Sequence, residues 1–74
     1  MADHSAEIVM YVKDGCPYCA GLRAKLQADG TPFVEHNVQR DRDALSRMLE
    51  LNGGRRQVPT WVHGGQVTVG YNGT

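Results

Sequence analysis

The stretch Asp14-Gly15-Cys16-Pro17-Tyr18-Cys19 joins an apolar run, Ile8-Val9-Met10-Tyr11-Val12, to a segment with helical spacing, and it holds both cysteines of the chain. A run that is apolar at nearly every position suits a strand buried on both faces, as in a parallel sheet. Lys13-Asp14-Gly15 breaks the run. Pro17 suits the first helical position, because its fixed φ is helical and its missing N–H has no partner there anyway. Cys16 then falls on the helix cap and Cys19 one turn inside. The unpaired N–H groups and the positive end of the helix dipole point at the Cys16 sulfur and favour its thiolate. Cys16 is the expected nucleophile, and Cys19 is placed to resolve a mixed disulfide. Lys13, three residues before Cys16, adds a nearby positive charge.

A cysteine pair has two other common uses. Buried structural cysteines behave as small apolar residues. A structural zinc site takes four ligands, often from two Cys-x-x-Cys knuckles. Here there is one pair, and His4, His36 and His63 are scattered with no second knuckle. No metal site is expected. The spacing at a strand-to-helix junction favours a thiol–disulfide redox site.

Residues 7–12 read as the first strand. Residues 17–29 carry Tyr18, Leu22 and Leu26 at four-residue steps, with Ala20, Ala24 and Ala28 between them, which predicts an amphipathic helix. Gly21 inside it costs about 1 kcal/mol relative to Ala. Asp29-Gly30 followed by Thr31-Pro32 is a helix stop. Residues 32–38 make a second, weaker strand, so the βαβ spacing predicts a parallel pair with a right-handed crossover. Asp41 or Asp43 caps the next helix. Leu45, Met48, Leu49 and Asn52 mark one of its faces, and Asn52-Gly53-Gly54 ends it. Val58-Pro59-Thr60 leads into Trp61-Val62-His63, Gly64-Gly65 is a hairpin signal, and Gln66-Val67-Thr68-Val69 returns. The expected class is α/β, in the order β-α-β-α-β-β, with helices covering both faces of a sheet.

A chain of 74 residues allows one domain, expected here over residues 1–74. A domain this small buries only about 60% of its unfolded surface. Two cysteines cannot form a disulfide framework of the secreted kind. Formal net charge is zero and the charges are mixed along the chain, which argues against a nucleic-acid partner. The opening Met1-Ala2-Asp3-His4-Ser5 is polar, with no signal-peptide core behind it, and no apolar run approaches spanning length, so no membrane partner is expected. The expected compartment is the cytoplasm, where a Cys-x-x-Cys is more often catalytic than structural.

These residues resemble a glutaredoxin, within the thioredoxin-like fold. The match extends over nearly the whole chain: a strand followed by Cys16-Pro17-Tyr18-Cys19, a βαβ unit, a second helix ending in Gly, and Val58-Pro59 before a hairpin. The Cys-Pro-Tyr-Cys sequence resembles the dithiol members specifically. The resemblance implies a four-stranded mixed sheet, a cis Val58–Pro59 bond beside the cysteines, and catalysis by Cys16 and Cys19. It implies a glutathione site at Val58, where backbone groups pair with an extended tripeptide as an added strand does. Lys13 and Arg56 stand where the family places cations for a glutathione carboxylate, Gln57 where it often has Thr, and Tyr18 walls the site. The family's Gly-Gly-x-x-Asp stretch corresponds to Thr68 through Thr74, so Asn72 stands in for the Asp without its charge. The chain stops at Thr74, where the family continues into a last helix. Lacking that helix, the sheet or the Leu22/Leu26 side is expected to be exposed, and such a patch invites a partner or a homodimer.

The implied activity is reduction of protein disulfides and protein–glutathione mixed disulfides. Glutathione is the co-substrate, glutathione reductase or thioredoxin reductase the source of electrons, and no bound cofactor is needed. Two alternatives stay open: a redoxin reduced by thioredoxin reductase that donates to ribonucleotide reductase, and a glutathione-ligated iron–sulfur cluster carrier built on Cys16.

Overall fold

In the computed structural model, β1 (Ile8–Val12) is the strand around which the rest is assembled. The described residues are 7–72; the polar opening with His4, together with Gly73 and Thr74, lies outside them. β1 pairs in parallel with β2 (Phe33–Asn37) and antiparallel with β3 (Thr60–His63), so Ile8 stands opposite both Phe33 and His63. β4 (Gln66–Val69) completes the antiparallel hairpin with β3. The sheet order is β2-β1-β3-β4, a four-stranded mixed sheet. The Gly64-Gly65 turn takes φ of 59° and 81°, the double positive value that a tight hairpin turn of this twist requires.

Successive residues of a strand point to opposite faces, and β1 uses this period to build two cores. Ile8, Met10 and Val12 meet Cys19, Leu22 and Leu26 of α1 (Pro17–Asp29). On the other face Tyr11 meets Ala44 and Met48 of α2 (Arg42–Asn52), with Val9 and Val38 alongside. Asp41 caps α2, its carboxylate accepting from the N–H groups of Asp43 and Ala44 at 3.0 and 3.2 Å. Gly30 stops α1 in the left-handed region at φ 69°, and the Thr31 N–H donates back to the Leu26 carbonyl at 2.9 Å.

Of the two surfaces expected as alternatives to be open, the sheet or the Leu22/Leu26 side, the second is covered: Leu22 and Leu26 are 1% and 6% exposed. Phe33, Trp61 and Tyr71 pack against that cluster instead. The Gly70 N–H donates to the Pro59 carbonyl at 2.7 Å and the Trp61 indole N–H to the Gly70 carbonyl at 3.1 Å. These bonds turn the segment after β4 back across α1, so a Cβ on Gly21 would meet the Tyr71 ring at 3.6 Å. The large exposed apolar residues among those described, Tyr18, Val34 and Leu51, sit on three different elements.

Candidate active site

Cys16 is the N-cap of α1, with extended backbone at φ −95° and ψ 106°, and Pro17 opens the first turn. Its sulfur accepts a hydrogen bond from the Cys19 N–H at 3.2 Å. The local sequence thus builds the position of the Cys16 sulfur by itself: a helix start supplies an unpaired N–H, and the cap side chain takes it. A second partner comes from far along the chain. The Val58 carbonyl lies 4.0 Å from the same sulfur, and the Val58–Pro59 bond is cis.

The loop that carries Val58 is held by two buried polar side chains. Asn52 ends α2 and is 9% exposed; Thr60 opens β3 and is fully buried. The Asn52 amide donates to the Arg55 carbonyl at 2.7 Å and to the Thr60 hydroxyl at 3.1 Å. Its own oxygen accepts from the Arg55 N–H at 2.9 Å. The Thr60 hydroxyl donates in turn to the Gln57 carbonyl at 2.9 Å. The sequence pattern marks Asn52 only as a face residue and a helix stop, and it assigns Thr60 no role. An amide on an otherwise apolar helix face, one loop away from a buried threonine, is the signal that could have marked them.

The turn before Cys16 is tied down from the opposite side. The Asp14 N–H donates to the Gln39 side-chain oxygen at 3.0 Å, and the Asn37 amide donates to the Asp14 carboxylate at 3.0 Å. Arg40 reaches both carboxylate oxygens, at 3.2 and 3.0 Å. The Arg40 hydrogen bond is the main reason the Asp14 carboxyl is held below the usual carboxylate range.

The two thiols differ sharply. Cys16 is half-buried, whereas Cys19 is 1% exposed. Burial, and then the hydrogen bond with Cys16, push the Cys19 thiol up from 9.0 to about 12, against a smaller opposing effect of the Lys13 backbone and the Arg23 charge. Cys16 is the thiol that a substrate can reach, and Cys19 holds its proton beneath it.

Lys13, Cys16, Tyr18, Arg56, Gln57 and Val58 surround one groove of about 290 Å³. The structure therefore brings together six of the residues singled out in the sequence. Pro59 is buried, and the exposed Asn72 does not line the groove. His36 is occupied elsewhere, stacked on Tyr11 with ring centroids 5.6 Å apart. Chemically the groove presents a sulfur nucleophile, two cations and the backbone of Val58 to one small ligand.

Comparison with known proteins agrees with this geometry. The glutaredoxin family model matches residues 8–68. A protein of Mycobacterium tuberculosis named as a glutaredoxin is 32% identical over 56 residues, covering 76% of this chain and 67% of that one. Mycoredoxin 1 of Corynebacterium glutamicum is 34% identical over 55 residues, covering 74% of this chain and 67% of its own. A crystallised thioredoxin-like protein superposes with a TM-score of 0.80 at 28% identity, covering 88% of each chain. The chain belongs to the glutaredoxin family, and it is a thiol–disulfide oxidoreductase of thioredoxin-like fold.

Proposed function

We propose that this protein reduces protein–glutathione mixed disulfides and protein disulfides, with glutathione as co-substrate. The observation that carries the reading is the groove of about 290 Å³ in which Cys16 meets Lys13, Arg56 and Val58. Glutathione is an anionic, extended tripeptide. Two cations with no carboxylate in the lining suit its charge, and the Val58 backbone beside the sulfur suits an added strand.

The Cys16 thiolate attacks the glutathione sulfur of a mixed disulfide. The Cys16–glutathione bond forms, the protein–glutathione bond breaks, and the protein sulfur leaves with the electron pair and takes a proton. A second glutathione thiolate then attacks the glutathione sulfur on Cys16, forming glutathione disulfide and releasing the Cys16 thiolate. In the dithiol route Cys19 gives up its proton and attacks the Cys16 sulfur, so the Cys16–Cys19 disulfide forms and the bound thiol leaves. At neutral pH Cys19 is almost entirely protonated, because its pKa is pushed up to about 12, so this route requires that proton to be removed.

The test is reduction of a glutathione mixed disulfide, supplied with glutathione and glutathione reductase, by wild type and Cys16→Ser. Turnover that depends on Cys16 supports the reading. A folded, reduced wild type with no turnover refutes it and directs attention to electron supply by thioredoxin reductase. The relative named mycoredoxin favours a second reading, in which mycothiol replaces glutathione. The position of Asn72, uncharged and outside the groove lining, agrees with a thiol other than glutathione. The same assay with a mycothiol mixed disulfide discriminates the two by which substrate has the larger kcat/KM.

A further inference from the structure

The end of β1 has two flanks, because the sheet order places β3 on one side of it and β2 on the other. The small groove lies on the β3 flank, bounded by Arg56, Gln57 and Val58. A second and larger groove, about 650 Å³, lies on the β2 flank. It is bounded by Ala20 and Arg23 of α1, Glu35 and Asn37 of β2, and Arg40. Cys16 lies on the rim that both grooves share.

The two grooves differ in charge and in preorganisation. The small one has two cations and no carboxylate in its lining. The large one has both signs: beyond Lys13, which lines both grooves, its charges are already committed to one another. Arg23 pairs with Glu35 across the α1–β2 gap, and Arg40 pairs with Asp14 at 3.0 Å. A small anion gains little from Arg23 and Arg40, each of which already has a carboxylate. An extended polypeptide, with backbone donors and acceptors and side chains of either sign, finds partners for both.

The chemistry also calls for two compartments. In disulfide exchange the attacking, central and leaving sulfurs lie close to one line, and the central and leaving sulfurs each carry a substituent. With the low-molecular-weight thiol on the central sulfur and its body in the small groove, the protein on the leaving sulfur has the β2 flank open to it. We infer that the groove of Ala20, Arg23, Glu35, Asn37 and Arg40 receives the protein side of the substrate disulfide, as an extended segment flanking its reactive cysteine. This inference rests on the proposed function, and it adds where the macromolecular half of the substrate sits.

The test fills the large groove from its floor. Ala20 is an exposed helical residue that lines this groove and not the small one. Ala20→Trp and the less bulky Ala20→Gln are compared with wild type on two substrates: glutathionylated serum albumin, and the small mixed disulfide of glutathione with 2-mercaptoethanol. A thermal melt of each variant establishes that it is folded. With albumin, KM rises about tenfold or more in Ala20→Trp, the change expected from losing one well-placed contact, and less in Ala20→Gln. With the small disulfide, kcat/KM stays at the wild-type value. A folded Ala20→Trp that loses equally on both substrates, or on neither, overturns the inference while the proposed function stands. A wild type inactive on both substrates overturns the proposed function, and the inference with it.

Discussion

Removing the Asn52 amide should destabilise the domain and loosen the loop that carries Arg56, Gln57 and Val58. Asn52→Ala deletes three hydrogen bonds, two with the Arg55 backbone and one with the Thr60 hydroxyl. A typical intramolecular hydrogen bond contributes about 0.5–1.5 kcal/mol net, and a partner left buried without a replacement costs more. Arg55 is exposed, so water can take over its two groups. The Thr60 hydroxyl is fully buried but keeps its bond to the Gln57 carbonyl. These conditions place the loss near the lower half of the range, at about 2 kcal/mol in total. Small domains have only ~0.05–0.15 kcal/mol of stability per residue, so this is a large fraction of the whole. The midpoint of thermal unfolding should drop by about 8–16 °C.

Denaturant unfolding of the reduced protein measures the loss, and KM for a glutathionylated substrate reads the loop. KM should rise, because Arg56 and Val58 are no longer held. Alkylation of Cys16 should persist, because its hydrogen bond from the Cys19 N–H is made within one helical turn. Asn52→Asp is the informative companion. It keeps an acceptor for the Arg55 N–H but aims a second oxygen at the Arg55 carbonyl, so it should be no more stable than Asn52→Ala at neutral pH. A loss under about 0.5 kcal/mol in Asn52→Ala, below the contribution of one ordinary bond, would refute the reasoning. So would full stability in Asn52→Asp, since the donor side would then contribute nothing.

Four further outcomes are expected. Cys16→Ser should abolish disulfide reduction while Cys19→Ser retains monothiol turnover with glutathione; equal loss in both would mean that only the dithiol route operates. The native state holds the Cys19 proton up to about 12 whereas the unfolded chain releases it near 9.0, so between those pH values the native state binds more protons. Stability of the reduced protein should therefore fall across that window, and unfolding of Cys19→Ala against pH should lack this part of the slope. Gly21→Ala should stabilise by about 0.5–1 kcal/mol in equilibrium unfolding, because the position is helical and the new Cβ would make only ordinary contact with Tyr71, at 3.6 Å. Asp41→Ala should cost about 1 kcal/mol through loss of the α2 cap, and Asp41→Asn should restore most of it in the same measurement.

Much of the fold is legible because its boundaries are set by local chemistry. The helix read from Pro17 to Asp29 is found with those limits, since a proline at its first turn and a glycine beyond its last are both local signals. The strands read as 7–12 and 32–38 are found as Ile8–Val12 and Phe33–Asn37. What the sequence could not show is which distant groups meet. The parallel register sets Val12 opposite Asn37, which brings residues 37–40 against Asp14 and ties the turn before Cys16. No spacing rule contains that register. The same holds for the segment after β4, whose return across α1 depends on Trp61 donating to Gly70. For that reason the Leu22 and Leu26 side, expected to be open, is covered.

The difference in burial between the two thiols follows from which residue leads the buried stripe of α1. Tyr18, Leu22 and Leu26 at four-residue steps and Cys19, Leu22 and Leu26 at steps of three and four are both helical faces, and the pattern alone allows either. Only one of Tyr18 and Cys19 can point down, because neighbouring residues are turned about 100° apart around the axis. The structure buries Cys19 and leaves Tyr18 43% exposed on the groove wall. That single choice sets several properties at once. It puts the Cys19 thiol in the core, where burial keeps it protonated. It leaves Cys16 at the cap, open to substrate, with the Cys19 N–H on its sulfur. It also turns an aromatic ring outward beside the nucleophile. An α1 rotated to bury Tyr18 would expose Cys19 and remove the difference in burial between the two sulfurs.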